Sequence, residues 1–254
     1  MSYLLNRPVL FFAVCFLTQW LAMLAGRYLH RQKLDPDEQD DLGVILTANL
    51  TLLGLIIGFT FSMAISRFDQ RKNYEAAEAN AIGTEFVRAT VLPPADAANA
   101  RGLLKDYLRQ RVLFYTVNEP ARLRQIDRDT ARLQRDLWAS VQEAATANPT
   151  PVAALALEGM NDVLNSQGYT QAAWWNRIPG AAWALMIIIA TSSSIMVGYT
   201  ARRPRSKVKW YFIFPLIVSS SFFLFADIDS PRGGGFIHVR PQNLEAVLQS
   251  LSAQ

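Results

Sequence analysis

Four long apolar runs mark the chain, set as two close pairs on either side of a polar insert. They lie at Val9–Ala25, Val44–Ile65, Ala181–Thr200 and Tyr211–Ala226. A helix crossing hydrocarbon needs about 20 apolar residues, so the runs predict four membrane-spanning helices.

The insert continues the helical pattern of the second run. Ser66–Leu92 contains no proline and Gly83 as its only glycine, and Pro93-Pro94 then stops it. One helix from Leu42 to Leu92 is expected, roughly 75 Å long at 1.5 Å per residue. Asp96–Val117 follows, with Leu103, Leu104, Tyr107, Leu108 and Val112 at helical spacing. After the turn at Asn118-Glu119-Pro120, Leu123, Ile126, Thr130, Leu133, Leu137 and Val141 form a seam. Asn148-Pro149-Thr150-Pro151 breaks the chain again. Val152–Asn176, carrying Leu155, Met160, Val163 and Leu164, leads into the third span through Arg177-Ile178-Pro179.

The expected fold is all-α: four transmembrane helices with an extramembrane antiparallel four-helix bundle continuous with spans two and three. The expected partition is 1–65 for the first two spans, 66–178 for the bundle, 179–226 for the last two spans and 227–254 for a C-terminal loop and short amphipathic helix. That helix begins at Pro241 and carries Leu244, Val247, Leu248 and Leu251, suited to capping the bundle or lying on the membrane surface. Phe236–Val239 is the single strand candidate. Tyr169, Trp174 and Trp175 precede the third span, where aromatic residues favour the headgroup layer.

Composition removes several classes of function. The net charge is +4, and its basic residues are mixed with acids or placed beside the spans, so no nucleic-acid partner is expected. The single cysteine, Cys15, lies in the first span, and the two histidines, His30 and His238, are far apart. Neither a metal site nor a cofactor is expected. There is no Gly-x-Ser-x-Gly, no phosphate-binding loop and no His-Glu-x-x-His, so the chain reads as a non-enzyme. Because Arg7 precedes the first run while Arg27, His30, Arg31 and Lys33 follow it, that run reads as a retained anchor.

The same charges set an expected orientation. Arg27, Arg31 and Lys33 occupy one short loop; Arg202, Arg203, Arg205, Lys207 and Lys209 occupy the other. Both loops are therefore assigned to the cytoplasm of a multi-pass inner-membrane protein, with the bundle and both termini periplasmic. Arg67, Arg71, Lys72 and Arg177 vote the other way.

Three sets of residues stand out as candidates. Thr47, Thr51, Gly54, Gly58 and Ser62 share one face of the second span, as a helix-packing seam or a pore lining. Glu75, Glu78 and Glu85 share a face of its continuation, as solvated ion pairs or, in an oligomer, a cation-attracting ring. Asp227, Asp229 and Arg232 form a tight C-terminal loop before Gly233-Gly234-Gly235, with an acid pairing the arginine. The hydroxyl groups of Thr191-Ser192-Ser193-Ser194 and Ser219-Ser220-Ser221 are placed to meet in mid-membrane. No ionisable residue lies deep in a span, which argues against a proton-relay transporter.

Three segments carry a family resemblance. They are Leu53-Gly54-Leu55-Ile56-Ile57-Gly58-Phe59, Glu78-Ala79-Asn80-Ala81-Ile82-Gly83 with Arg88 and Leu92-Pro93, and Asp227-Ile228-Asp229-Ser230-Pro231-Arg232-Gly233 followed by Pro241. With the two-plus-two layout, the chain resembles the bacterial bestrophin-like family of membrane proteins. The resemblance implies kinship with bestrophin anion channels, hence a homo-oligomer in the lipid bilayer passing inorganic ions. Two departures accompany it: the second span has only Phe59 and Phe61 where bestrophins have an aromatic-rich neck, and the charge rule places the helical domain outside the cytoplasm. The alternative class is a non-conducting membrane-anchored scaffold or envelope sensor that binds a protein partner.

Overall fold

The computed structural model describes residues 7–29, 36–200, 211–232 and 235–252. The two basic loops lie largely outside these residues, as do Gly233 and Gly234. The helices are α1 (Pro8–Leu29), α2 (Pro36–Arg88), α3 (Pro94–Thr116), α4 (Pro120–Ala147), α5 (Pro151–Trp175), α6 (Gly180–Tyr199), α7 (Ile213–Asp229) and α8 (Gln242–Ser252). Proline stands in the first turn of α3, α4 and α5, where its missing N–H is not needed. The Thr150 hydroxyl caps α5 by accepting from the Ala153 N–H at 3.0 Å.

There is no strand among the described residues, and Phe236–Val239 is irregular. The α2 helix stops at Arg88 and tightens into a 3-10 turn, Ala89–Val91, short of the expected Leu92. Between α5 and α6 the helical path is interrupted at residues 176–179. By length and composition, three helical segments of the described residues can cross a membrane: Pro8–Leu29, Asp40–Val91 and Pro151–Tyr199. The fourth apolar run forms α7, 17 residues long, at the short limit of a span.

The chain divides into two units, Met1–Phe68 with Arg177–His238, and Asp69–Asn176 with Val239–Gln254. The first contains α1, the start of α2, α6 and α7. Its core gathers Phe11, Leu53, Ala64, Trp183, Met186, Phe222 and Phe225. The fully buried Trp183 ring meets Phe11 edge-on at 5.2 Å and Phe222 at 6.2 Å. α1 packs on both α6 and α7. A Cβ at Gly26 would collide with the Ile195 carbonyl, and one at Gly198 with the Met23 carbonyl, so α1 and α6 cross backbone to backbone. Some polar atoms in this core find partners on other helices. Asn49 donates to Ser192 at 2.9 Å and Ser193 at 3.0 Å, and Ser194 donates to Gln19 at 2.5 Å. Among the described residues no hydrogen bond joins the two hydroxyl runs, and Ser192, Ser193 and Ser194 are bonded to Asn49 and Gln19 instead.

The second unit is a four-helix bundle of the remainder of α2 with α3, α4 and α5. Pairs of touching residues give its direction: Glu78 with Arg111, Tyr107 with Gln134, Gln134 with Gln167, and Arg71 with Ala173. Further along α2, Phe86 meets Arg101 of α3 and Glu85 meets Gly159 of α5, so as α2 advances its partners recede and it runs antiparallel to both. Ile126, Thr130, Leu133, Leu137 and Val141 of the α4 seam are buried. Leu155, expected in the α5 seam, is exposed. Trp174 also departs from expectation. It is buried against Phe114 and Tyr115 in the bundle core, while Trp175 and Tyr169 face outward. α8 belongs to this unit and caps it, burying Leu244 and Leu251 and setting Val247 against Gly83.

Candidate functional site

The start of α2 has two unlike faces. Leu53, Thr60 and Ala64 are buried, and Ile56, Ile57 and Phe61 pack against the first unit's core. Thr47, Thr51, Gly54, Gly58 and Ser62 all point outward. A Cβ at Gly54 or Gly58 would meet nothing within 4 Å. Among the described residues, no helix of the same chain packs on this small-residue face. The Thr47 and Thr51 hydroxyls donate back to the Gly43 and Thr47 carbonyls, each at 2.8 Å. Their protons are used within the helix, leaving oxygen lone pairs on the outer surface. By contrast, the outer face of α1 shows Val9, Leu10, Val14, Leu17 and Leu21, a surface suited to acyl chains.

The three stalk acids are not solvated. Glu75, Glu78 and Glu85 are buried, and this corrects the expectation of an exposed or axis-facing acidic ring. They fall on the apolar stripe of α2 with Ala79, Ile82, Phe86 and Ala89, so folding carries them into the bundle. Glu75 accepts the Asn243 and Leu244 N–H groups at 2.9 and 3.0 Å and the Asn243 amide at 2.6 Å. It thereby satisfies orphan donors at the start of α8. Glu78 accepts from both arms of Arg111, from Thr170 at 3.1 Å and from Tyr115 at 3.4 Å. Burial works against the charge of Arg111, but the facing Glu78 carboxylate outweighs it and holds the guanidinium protonated above its usual value. Burial also pushes the Tyr107 and Tyr115 phenols well up. Glu85 is different: both of its oxygens are buried with no hydrogen-bond donor among the described residues. Burial, reinforced by Asp162 and opposed by Arg88, pushes its carboxyl up to about 8.

The C-terminal loop is organised by its acids. Asp229 accepts the Ile178 N–H on both oxygens at 3.1 Å and lies 3.7 Å from Arg67. Asp227 accepts the Phe236 and Ile237 N–H groups at 3.0 Å. A Cβ at Gly235 would collide with the Asp227 carboxylate, which explains a glycine there. The partners Arg67 and Ile178 lie far from the loop in sequence and carry no local signal. Arg111 could have been found, because it interrupts the apolar stripe Leu104, Tyr107, Leu108, Phe114 and Tyr115 of α3. No group of three metal-ligating side chains occurs among the described residues.

The match with known structures covers the whole architecture. A bacterial bestrophin homologue from Klebsiella pneumoniae superposes with a TM-score of 0.64 at 13% identity, covering 96% of this chain and 97% of that one. A single-site variant of the Klebsiella homologue gives 0.65 at 13% identity, covering 97% and 99%. Another solved membrane protein gives 0.65 at 12% identity, covering 97% and 98%. At these identities the likeness speaks for the fold. No curated protein matches the sequence. The family model described as a bestrophin-like domain matches residues 9–244, nearly the full chain, and the protein therefore belongs to the bestrophin-like family.

Proposed function

We propose that the protein is one subunit of an oligomeric ion channel in the inner membrane, with the small-residue face of α2 turned toward a central axis. One observation carries this reading: Thr47, Thr51, Gly54, Gly58 and Ser62 are exposed on a membrane-spanning helix whose opposite face is already packed. Exposed hydroxyls are poorly suited to acyl chains, whereas copies of the same face around an axis leave room for water and ions. The bestrophin-like fold supports the reading.

Flux through liposomes containing the purified protein tests it. A Cβ at Gly58 has open space around it, so Gly58→Trp should leave the subunit folded and assembled while flux falls about tenfold or more. Absence of flux from the unaltered protein in every salt and voltage condition sinks the channel reading. It would favour the alternative, a membrane-anchored scaffold that binds a protein partner.

A further inference from the structure

We propose that Glu85 is a proton-operated latch between the end of α2 and α5: a neutral acid when the two are packed, and a carboxylate that loosens them when the proton leaves. This is independent of whether the protein conducts.

Glu85 is fully buried, and neither oxygen receives a hydrogen bond among the described residues. Its neighbours on the same stripe, Glu75 and Glu78, are each held by several donors. Three acids on one helix face are thus treated in two opposite ways, and only Glu85 lacks the donors that make a buried carboxylate tolerable. The site is closely fitted. On α5, Gly159 faces the carboxyl so closely that a Cβ there would collide with Glu85 Oε2 and stand 2.8 Å from Arg88 Nη1.

The charges around the latch come from each packed helix. α2 itself supplies Arg88, which favours the carboxylate, and α5 supplies Asp162, which disfavours it. α3 presents Arg101 and Lys105, which lie over the ring of Phe86 at 4.1 and 5.4 Å. α8 reaches this part of α2 through the apolar Val247, with its own Glu245 exposed. Burial prevails, raising the carboxyl from 4.5 to about 8.

The sign of the pH effect follows. Between those two values the folded protein keeps a proton that the unfolded chain has released, so stability falls as pH rises across the window. The contribution is greatest below pH 4.5, is lost as pH rises through about 8, and is flat above it. One proton corresponds to at most about a tenfold change in the folding constant per pH unit.

The test uses the full chain in detergent and two readouts. Infrared spectroscopy of the unaltered protein should show a protonated-carboxyl band at neutral pH that fades in alkali and is missing in Glu85→Gln. Thermal unfolding should give Glu85→Gln, which mimics the neutral acid, an advantage in alkali that disappears near pH 5. Should Glu85→Gln fail to fold, Glu85→Asp keeps a carboxyl and should shift the band. Absence of the band at neutral pH overturns the proposal, as does a band unchanged in Glu85→Gln or Glu85→Asp. Identical pH profiles of unfolding for the unaltered protein and Glu85→Gln also overturn it.

Discussion

Arg111 and Glu78 form a fully buried ion pair, and its two halves are far from independent. Such a pair adds little relative to apolar residues of the same size, but removing one partner leaves an uncompensated charge in the core. Arg111→Leu alone should therefore cost about 3–5 kcal/mol, read as lower thermal stability of the purified protein. Glu78→Gln combined with Arg111→Leu should cost clearly less than the sum of the single changes, the signature of coupled neighbours. The helical spacing of Glu75, Glu78 and Glu85 revealed in sequence that they share a face. It did not reveal which way the face turns, because charged residues ordinarily mark the solvated side. The useful signal was their coincidence with Ala79, Ile82 and Phe86, since a solvated face has no reason to follow an apolar stripe. Glu85 was legible as a member of the set. Its lack of donors was not, because that depends on Gly159, more than seventy residues later in the chain.

Prolines gave away most of the helix boundaries, because each acts locally and needs no tertiary context. Pro94, Pro120 and Pro151 each open a helix where the sequence placed one. Contacts between helices were far less legible. Gly26 and Gly198 let α1 and α6 meet backbone to backbone, yet neither belongs to a recognisable spacing such as Gly54-x-x-x-Gly58. The obvious motif faces outward, and two isolated glycines do the packing. Gly54→Ala and Gly198→Val should separate these roles. Gly54→Ala meets open space in the single chain and should leave subunit stability nearly unchanged. Gly198→Val drives a branched side chain into the Met23 backbone, which no rotamer relieves. Overpacking of this kind costs about 1–3 kcal/mol or more, so the melting temperature of the detergent-solubilised protein should fall by several degrees.

At the scale of the molecule, the proposed orientation rests on which cations count as topology signals. Arg67 and Arg71 oppose the vote of the short loops, but each has structural work to do. Arg67 lies 3.7 Å from Asp229, which also holds the Ile178 N–H. Arg71 is buried and donates to the carbonyls of Ala173 and Asn176 at 3.2 and 3.3 Å. Folding therefore accounts for their presence irrespective of the side they occupy, whereas the cluster from Arg202 to Lys209 is dense enough to act as a retention signal. A labelling experiment follows from this. The native Cys15 is buried in α1, so an introduced cysteine provides the accessible thiol. Arg135 is exposed on α4, whereas its neighbour Gln134 turns inward to Tyr107 and Gln167. Arg135→Cys should react with an impermeant maleimide added to intact spheroplasts, and Ser206→Cys should react only after the membrane is broken. The reverse pattern would place the helical unit in the cytoplasm. The Arg67–Asp229 ion pair and the buried hydrogen bonds of Arg71 would stand either way, and only the reading of the loop charges would be wrong.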